Sequence, residues 1–119
     1  MLRRELILAA QGAYFVLTGL WPVVHFPSFE AVTGPKVDDW LVRMVGLLAA
    51  VIGGTLYTAA RRRTRTSEIL LLAIGSALAF TVIDTWYSLA GRISLIYLAD
   101  AVVEIAIIVL LLRSRWSEP

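Results

Sequence analysis

The sequence predicts an all-α membrane protein, a four-transmembrane-helix bundle in antiparallel up-down-up-down order with both termini cytoplasmic. Three observations lead to this prediction: the excess of apolar residues, their grouping into four runs, and the placement of the arginines. Of the 119 residues, 59% are hydrophobic, and the mean hydropathy is +0.78. Soluble domains are usually about 45–50% apolar, and a chain this small has too little interior to hide the excess. Much of the apolar surface must therefore face lipid.

The apolar residues form four runs within a single integral membrane domain, residues 1–119. The predicted spans are residues 6–24, 40–60, 69–90 and 95–112. Each is close to the ~20 residues that a helix needs to cross a bilayer, for which ~17–25 are tolerated. Because lipid offers the backbone no hydrogen-bond partner, each span is predicted to be helical. The connecting segments are short except for 25–39, which makes consecutive helices antiparallel neighbours.

Local signals mark where these helices begin and end. Side chains that can cap a helix start precede the last three runs: Asp38, Thr66 or Ser67, and Ser94. Pro22 and Pro27 are predicted to end the first helix, because proline cannot continue the backbone hydrogen-bond ladder.

The basic residues predict the orientation, because Lys and Arg accumulate in cytoplasmic loops. One side of the predicted bundle holds Arg3, Arg4, Arg61, Arg62, Arg63, Arg65, Arg113 and Arg115. The other side holds only Lys36, Arg43 and Arg92. The net charge of +2 comes mostly from these arginines, which set the orientation in the membrane. We therefore predict the lipid bilayer as the surroundings and no nucleic-acid partner.

Composition also limits the chemistry that the protein can perform. There is no cysteine, so disulfides and thiolate metal sites are excluded. The single histidine, His25, excludes a bis-histidine haem. The sequence has no phosphate-binding loop and no nucleophile with its base. We therefore assign no catalytic residue, no metal site and no cofactor.

Four ionisable residues lie inside the predicted spans, all in the outer half of the bundle: Arg43, Asp84, Asp100 and Glu104. Each costs roughly 2.5–3.5 kcal/mol to insert, so such groups face the interior and pair. Asp100 and Glu104 are four apart and share one helix face. Since Arg43 opposes three carboxylates, at least one carboxyl, Glu104 by our choice, should be protonated unless another cation compensates. Candidates for that cation are Arg92, Lys36, protonated His25, a metal ion and a substrate.

Aromatic residues on the same stripes complete a candidate site. The predicted ligand- or proton-binding residues are Arg43, Asp84, Asp100, Glu104, Tyr14, Trp21, Tyr87, Tyr97 and His25. Aromatic rings with carboxylates suit a cation, and segment 25–39 could form the rim or lid of such a cavity. We expect the protein to bind a small cationic or amphipathic ligand that enters from the outer side. Transport of the same ligand is an extension of this expectation.

Other interpretations of the same residues stay open. The charged residues could pair only to fix the register of the helices. The protein could be a structural or accessory subunit of a larger assembly. It could also be an enzyme acting on a lipid-like substrate, with Glu104 as general acid and Asp100 or His25 as base.

Small residues recur at spacing four in the second span, at Gly46, Ala50 and Gly54. In lipid, such stripes let helices approach closely. We expect this stripe to pack against another helix of the same chain, with a homodimer as the alternative.

Two stretches resemble a group of small bacterial four-helix membrane proteins to which no activity is assigned. They are "SFEAVTGPKVDDWLVRMVG", residues 28–46, and "IDTWYSLAGRISLIYLADAVVE", residues 83–104, together a little over a third of the chain. The resemblance implies a location in the bacterial inner membrane. Small multidrug-resistance transporters are similar in length and helix number. Gln11 stands where their first helix has its essential glutamate, which puts that mechanism in doubt here.

Overall fold

The computed structural model describes residues 2–117 and builds them into a helical bundle. The helices are α1 (Arg4–Val24), α2 (Phe26–Thr33), α3 (Asp39–Arg61), α4 (Ser67–Leu89) and α5 (Tyr97–Arg113). Helices α1, α3 and α4 are long and apolar enough to cross a membrane. Helix α5, in place of the predicted span 95–112, has 17 residues and is the shortest of the four long helices. The prediction of an all-helical fold is thus confirmed, and three helices of spanning length are consistent with a membrane protein.

The region around the prolines differs from the sequence prediction. Pro22 lies inside α1, which continues to Val24. Pro27 lies in the first turn of α2, where a missing backbone N–H costs nothing. The imidazole of His25 caps this helix by accepting a hydrogen bond from the Ser28 backbone N–H. Segment 25–39, the expected connector and cavity rim, therefore contains a helix that the sequence did not predict.

The predicted helix starts are partly reproduced. The Thr66 hydroxyl accepts a hydrogen bond from the Ile69 backbone N–H at 3.3 Å, as a cap of α4 should. Asp38 precedes α3 but makes no side-chain cap bond. Ser94 accepts from the Ile96 N–H, and α5 begins only at Tyr97.

Helices α1 and α3 pack in antiparallel order through two pairs of glycines. A Cβ atom on Gly12 would lie 2.5 Å from the carbonyl oxygen of Gly53, and a Cβ atom on Gly46 would overlap the Gly19 carbonyl. No larger residue fits without separating the helices. Gly54 has no atom within 4 Å of its Cβ position. Gly46 is therefore used for packing within the chain, whereas Gly54 is open to the outside.

A dry core closes one half of the bundle. It draws on α1, α3, α4 and α5, with the buried residues Leu8, Leu56, Ala60, Ala73, Ile107 and Leu111. Apolar side chains from four helices thus meet in this half.

Beyond this core, polar contacts tie the two chain ends to the α3–α4 connection. The Arg4 guanidinium donates to the hydroxyl and carbonyl oxygens of Ser114 at 2.9 and 2.7 Å. The Glu5 carboxylate accepts from the Ser117 backbone N–H at 2.9 Å and lies 3.7 Å from Arg65. We call these five residues the terminal clamp. It gathers the ends of α1, α4 and α5 at one end of the bundle.

Candidate functional site

The opposite half of the bundle contains a cavity of about 640 Å³. Its walls come from α1, α3, α4 and α5, and α2 contributes Phe29 and Thr33. Most of the lining is apolar, including Phe15, Val45, Phe80, Ile83, Ile96 and Val103. Ligand pockets commonly span roughly 300–1,000 Å³, so the cavity has room for a small organic molecule.

Three carboxyl groups from two helices meet in this apolar lining. Asp84 from α4 is 5% exposed and Glu104 from α5 is 1% exposed. The Asp100 carboxyl adjoins both of them, and it accepts a hydrogen bond from the Tyr14 hydroxyl of α1. We call Asp84, Asp100 and Glu104 the carboxyl cluster. Two of the acids share a face of α5 as the spacing of four predicted.

The carboxyl cluster is short of hydrogen-bond donors. Asp84 Oδ2 and Glu104 Oε1 are buried and have no hydrogen-bond partner among the described residues. Carboxyl groups can bond to one another only when a proton lies between them. Burying several uncompensated carboxylates side by side is very costly. The cluster therefore has to hold protons, a bound cation, or both.

Polar contacts continue below the cluster for one turn of α1 and then stop. Gln11 is 1% exposed, and its amide donates to the Ala73 carbonyl at 2.9 Å. Its Oε1 has no partner among the described residues. The next turn brings Leu8 and the dry core. In this conformation no chain of described polar side chains connects the cavity to the terminal clamp.

Arg43 does not join the carboxyl cluster, contrary to the sequence expectation. Its side chain is exposed, and its guanidinium carbon lies 4.8 Å from the ring centroid of Phe26. Among the described residues, the structure forms no ion pair between Arg43 and the cluster. The reason is the rotation of α3, which turns Val42 and Val45 toward the cavity. The long arginine side chain instead reaches the surface across an aromatic face.

Lys36 is the basic residue in the cavity lining. Its ammonium donates to the carbonyl oxygens of Thr33 and Gly34, at 3.0 and 2.7 Å. It also lies 5.2 Å from the ring centroid of Tyr97 and 5.6 Å from that of Phe29. These hydrogen bonds of the ammonium thus go to carbonyl oxygens at the end of α2 and not to the carboxyl cluster. Lys36 was predicted only as a possible compensating cation and not as a site residue.

The predicted aromatic residues divide between the cavity and the surface. Trp21 and Tyr97 line the cavity with Tyr14. The Trp21 indole N–H donates to the Ser28 hydroxyl at 2.8 Å, and its ring meets Phe29 edge to face at 5.4 Å. Trp21 therefore holds α2 against α1. Tyr87 is 37% exposed and lies outside the cavity lining.

His25 also lies outside the lining. Its exposed imidazole Nδ1 is 2.7 Å from the Ser28 hydroxyl, at the junction of α1 and α2. Its position is that of a helix cap. Six of the nine predicted site residues thus line one cavity, whereas Arg43, His25 and Tyr87 do not.

Several lining residues were not predicted. Phe15 and Phe80 pack edge to face at 5.4 Å, and Phe29 comes from the unpredicted helix α2. Phe15 and Phe80 lie in helices that are apolar on nearly every side, so their sequence positions carry no signal of direction. Proline is typical of the first turn of a helix, so Pro27 is the sequence signal from which α2 could have been predicted.

Chemically, the cavity offers apolar walls and an acidic cluster that lacks donors. This combination complements a molecule with one cationic group and an apolar body. Among the described residues, no group of His, Cys, Asp and Glu has an arrangement that could hold a metal ion. Comparisons of the chain with protein-family models, with curated proteins and with solved structures found no match.

Proposed function

We propose that this protein binds a small amphipathic cation in the cavity, with the carboxyl cluster as the counter-charge. The observation that carries the proposal is the pair of buried carboxyls, Asp84 and Glu104, in a mostly apolar cavity. One oxygen of each, Asp84 Oδ2 and Glu104 Oε1, has no hydrogen-bond partner among the described residues. A structural ion pair would bring its own cation to these oxygens. Here the nearby basic residues, Lys36 and Arg43, are engaged with carbonyl groups and aromatic rings.

The physical chemistry of the cavity favours a ligand with two different ends. A cationic end would neutralise the cluster and supply hydrogen bonds, which removes the cost of leaving buried acceptors unpaired. An apolar body would fill the walls and gain about 25 cal/mol for each Å² of apolar surface buried. A fully polar cation would neutralise the cluster and supply hydrogen bonds, but it would gain no free energy from burying apolar surface.

We also propose that all four long helices span the bacterial inner membrane, with both termini cytoplasmic. The 17 residues of α5 lie at the lower end of the spanning range of ~17–25. Arg3, Arg4, Arg65 and Arg115 meet at the terminal clamp, and basic residues favour the cytoplasmic side. The bacterial location rests on the resemblance of residues 28–46 and 83–104. This orientation supports entry of the ligand from the outer leaflet or the periplasm.

Binding requires only the arrangement described above. Transport would also require the dry core and the terminal clamp to open, since both close the inner half. We therefore propose binding as the primary function, and transport as an extension that depends on a second conformation.

Native mass spectrometry of the protein released from lipid nanodiscs tests the proposal. We expect a bound mass, either co-purified or from added dodecylamine, that disappears in the double variant Asp100→Asn/Glu104→Gln. Glu68→Gln is the matched control, because Glu68 is an exposed carboxylate at the other end of α4. Circular dichroism checks that the variants stay folded.

Two results would contradict the proposal. Equal occupancy in the double variant would move binding away from the cluster. No bound mass in the wild-type protein, together with a co-purifying protein, would favour an accessory subunit. Conversion of a co-purified lipid, lost in Glu104→Gln, would favour the enzyme.

A further inference from the structure

We infer that the cavity selects ammonium groups that carry N–H donors, as in primary alkylamines, and discriminates against quaternary ammonium groups on the same alkyl chain. The inference rests on the proposed function and narrows its ligand class. It places the amine at the carboxyl cluster and the alkyl chain along the apolar walls.

The first argument is the shortage of donors at the cluster. Tyr14 donates to Asp100, but Asp84 Oδ2 and Glu104 Oε1 have no hydrogen-bond partner among the described residues. Both side chains are more than nine-tenths buried and line the cavity. A primary ammonium brings three N–H donors, as a lysine side chain does. A quaternary ammonium brings none, so it would neutralise charge but leave these acceptors unsatisfied.

The second argument is where the aromatic rings lie. Proteins recognise quaternary ammonium groups by enclosing them with aromatic faces. The faces of Phe29 and Tyr97 are already near an ammonium, that of Lys36. Near the cluster, Tyr14 presents its hydroxyl to Asp100. Of the aromatic residues predicted for the site, Tyr97 thus lies by the Lys36 ammonium, and Tyr14 offers the carboxyl cluster a hydroxyl donor.

The third argument concerns the rest of the ligand. Apart from the carboxyl cluster, the charged residue in the cavity lining is Lys36, whose positive charge would repel a second ammonium group. The remaining lining is mostly apolar. A single amine with an apolar chain therefore matches the cavity better than a polyamine.

Three probes with the same twelve-carbon chain test the inference in wild-type protein in nanodiscs: dodecylamine, N-methyldodecylamine and dodecyltrimethylammonium. Occupancy is measured by native mass spectrometry and compared at equal membrane concentration, with partition into empty nanodiscs subtracted. We expect dodecylamine to bind about tenfold more tightly than the quaternary probe, the effect of about one lost hydrogen bond to a charged group. The secondary amine should lie between them.

The outcomes distinguish a failure of this inference from a failure of the proposed function. Equal affinity for all three probes would overturn the inference and leave the proposed function standing. Weaker binding of dodecylamine than of the quaternary probe would overturn it as well. Absence of binding by every probe would overturn both.

Variants locate the discrimination at the cluster. Glu104→Gln introduces an amide that supplies donors of its own, so the preference for dodecylamine should fall to about threefold or less. Glu68→Gln should keep the full preference. A preference that survives in folded Glu104→Gln and in Asp84→Asn would place the N–H recognition elsewhere and overturn the assignment. If neither variant folds, the probe series on the wild-type protein decides alone.

Discussion

The two ends of the bundle treat their charged groups in opposite ways. At the terminal clamp, Arg4 donates to two oxygens of Ser114, and the Glu5 carboxylate accepts from the Ser117 backbone N–H and lies 3.7 Å from Arg65. At the cavity, Asp84 and Glu104 each have one oxygen without a hydrogen-bond partner among the described residues, and the Lys36 ammonium donates to carbonyl groups instead. Both ends contain acidic and basic residues, so the difference lies in arrangement and not in composition.

This difference indicates how the chain divides its tasks. Paired charged groups and an apolar core stabilise the fold, and the clamp end has both, although the buried Ser117 Oγ has no hydrogen-bond partner among the described residues. Unsatisfied buried groups destabilise the fold, and proteins tolerate them mainly at functional sites. We therefore expect stability to depend on the clamp and ligand binding to depend on the cavity. The predictions below test this division.

The largest effect should come from Gly46→Val, because both ends depend on the contact between α1 and α3. The added side chain would overlap the Gly19 carbonyl and force the helices apart. We expect the free energy of unfolding to fall by about 3 kcal/mol, measured by circular dichroism during titration with sodium dodecyl sulfate. Dodecylamine binding should be lost as well.

Gly54→Val in the same helix is the control, since its Cβ meets open space. Its effect on stability should stay within about 0.5 kcal/mol. If instead Gly54→Val changes the oligomeric state seen by native mass spectrometry, a homodimer through the face of Ala50 and Gly54 would gain support.

Arg4→Met should separate stability from binding. The variant loses the hydrogen bonds to Ser114 and the Leu111 carbonyl, so we expect the free energy of unfolding to fall by about 2 kcal/mol. Dodecylamine affinity should change by less than about threefold, because distant sites act independently. Arg61→Met, at the exposed end of α3, is the control. An equal loss of binding and stability would show that the two ends are coupled.

Dodecylamine binding should weaken as the pH falls from 8 to 5. Protons and the ammonium compete for the same carboxyl oxygens, so a higher pH removes the competitor. The amine itself stays protonated, as a lysine does with its pKa of about 10.4. We expect about a tenfold loss at pH 5, measured by native mass spectrometry or calorimetry.

A pH-independent affinity would contradict proton competition at the cluster. His25→Gln is the control, because His25 is the single histidine of the chain and lies outside the cavity lining. This variant should keep the pH dependence of the wild-type protein.

The smallest effect should come from Lys36→Met. Removing the ammonium frees the faces of Phe29 and Tyr97, so the affinity for dodecyltrimethylammonium should rise about threefold. Dodecylamine should respond less, because its recognition depends on the cluster. Lys36→Arg keeps the positive charge and should leave both affinities near those of the wild type. A fall in both affinities in Lys36→Met would instead give Lys36 a direct part in binding.

Much of the architecture was predictable because its causes are local. The four apolar runs correspond to α1, α3, α4 and α5, although α5 is shorter than its neighbours. Asp100 and Glu104 are one helical turn apart, and Asp84 lies at a matching depth in the antiparallel neighbour. Spacing and depth predicted that these carboxyls lie in the same half of the bundle, and the structure brings them together in one cavity.

Arg43 and α2 show where such prediction fails. The charge of Arg43 suggested pairing with the acids, but the rotation of α3 is set by the close contact of Gly46 with Gly19. This contact turns Val42 and Val45 toward the cavity and leaves Arg43 at the surface. Helix α2 is only eight residues long, and contacts such as the one between Trp21 and Ser28 hold it in place.

By itself, the sequence determined the all-helical class, the four apolar segments, and the distance along the helices between most arginines and the acids Asp84, Asp100 and Glu104. These properties follow from composition and from spacing along the chain. Only the tertiary structure decided that Lys36 lies over Phe29 and Tyr97, that Arg43 stays outside, and that two carboxyl oxygens have no hydrogen-bond partner among the described residues. The physical reason is that a helix apolar on nearly every side can rotate about its axis without changing its own hydrophobic energy. Packing against its neighbours then decides which side chains face the cavity.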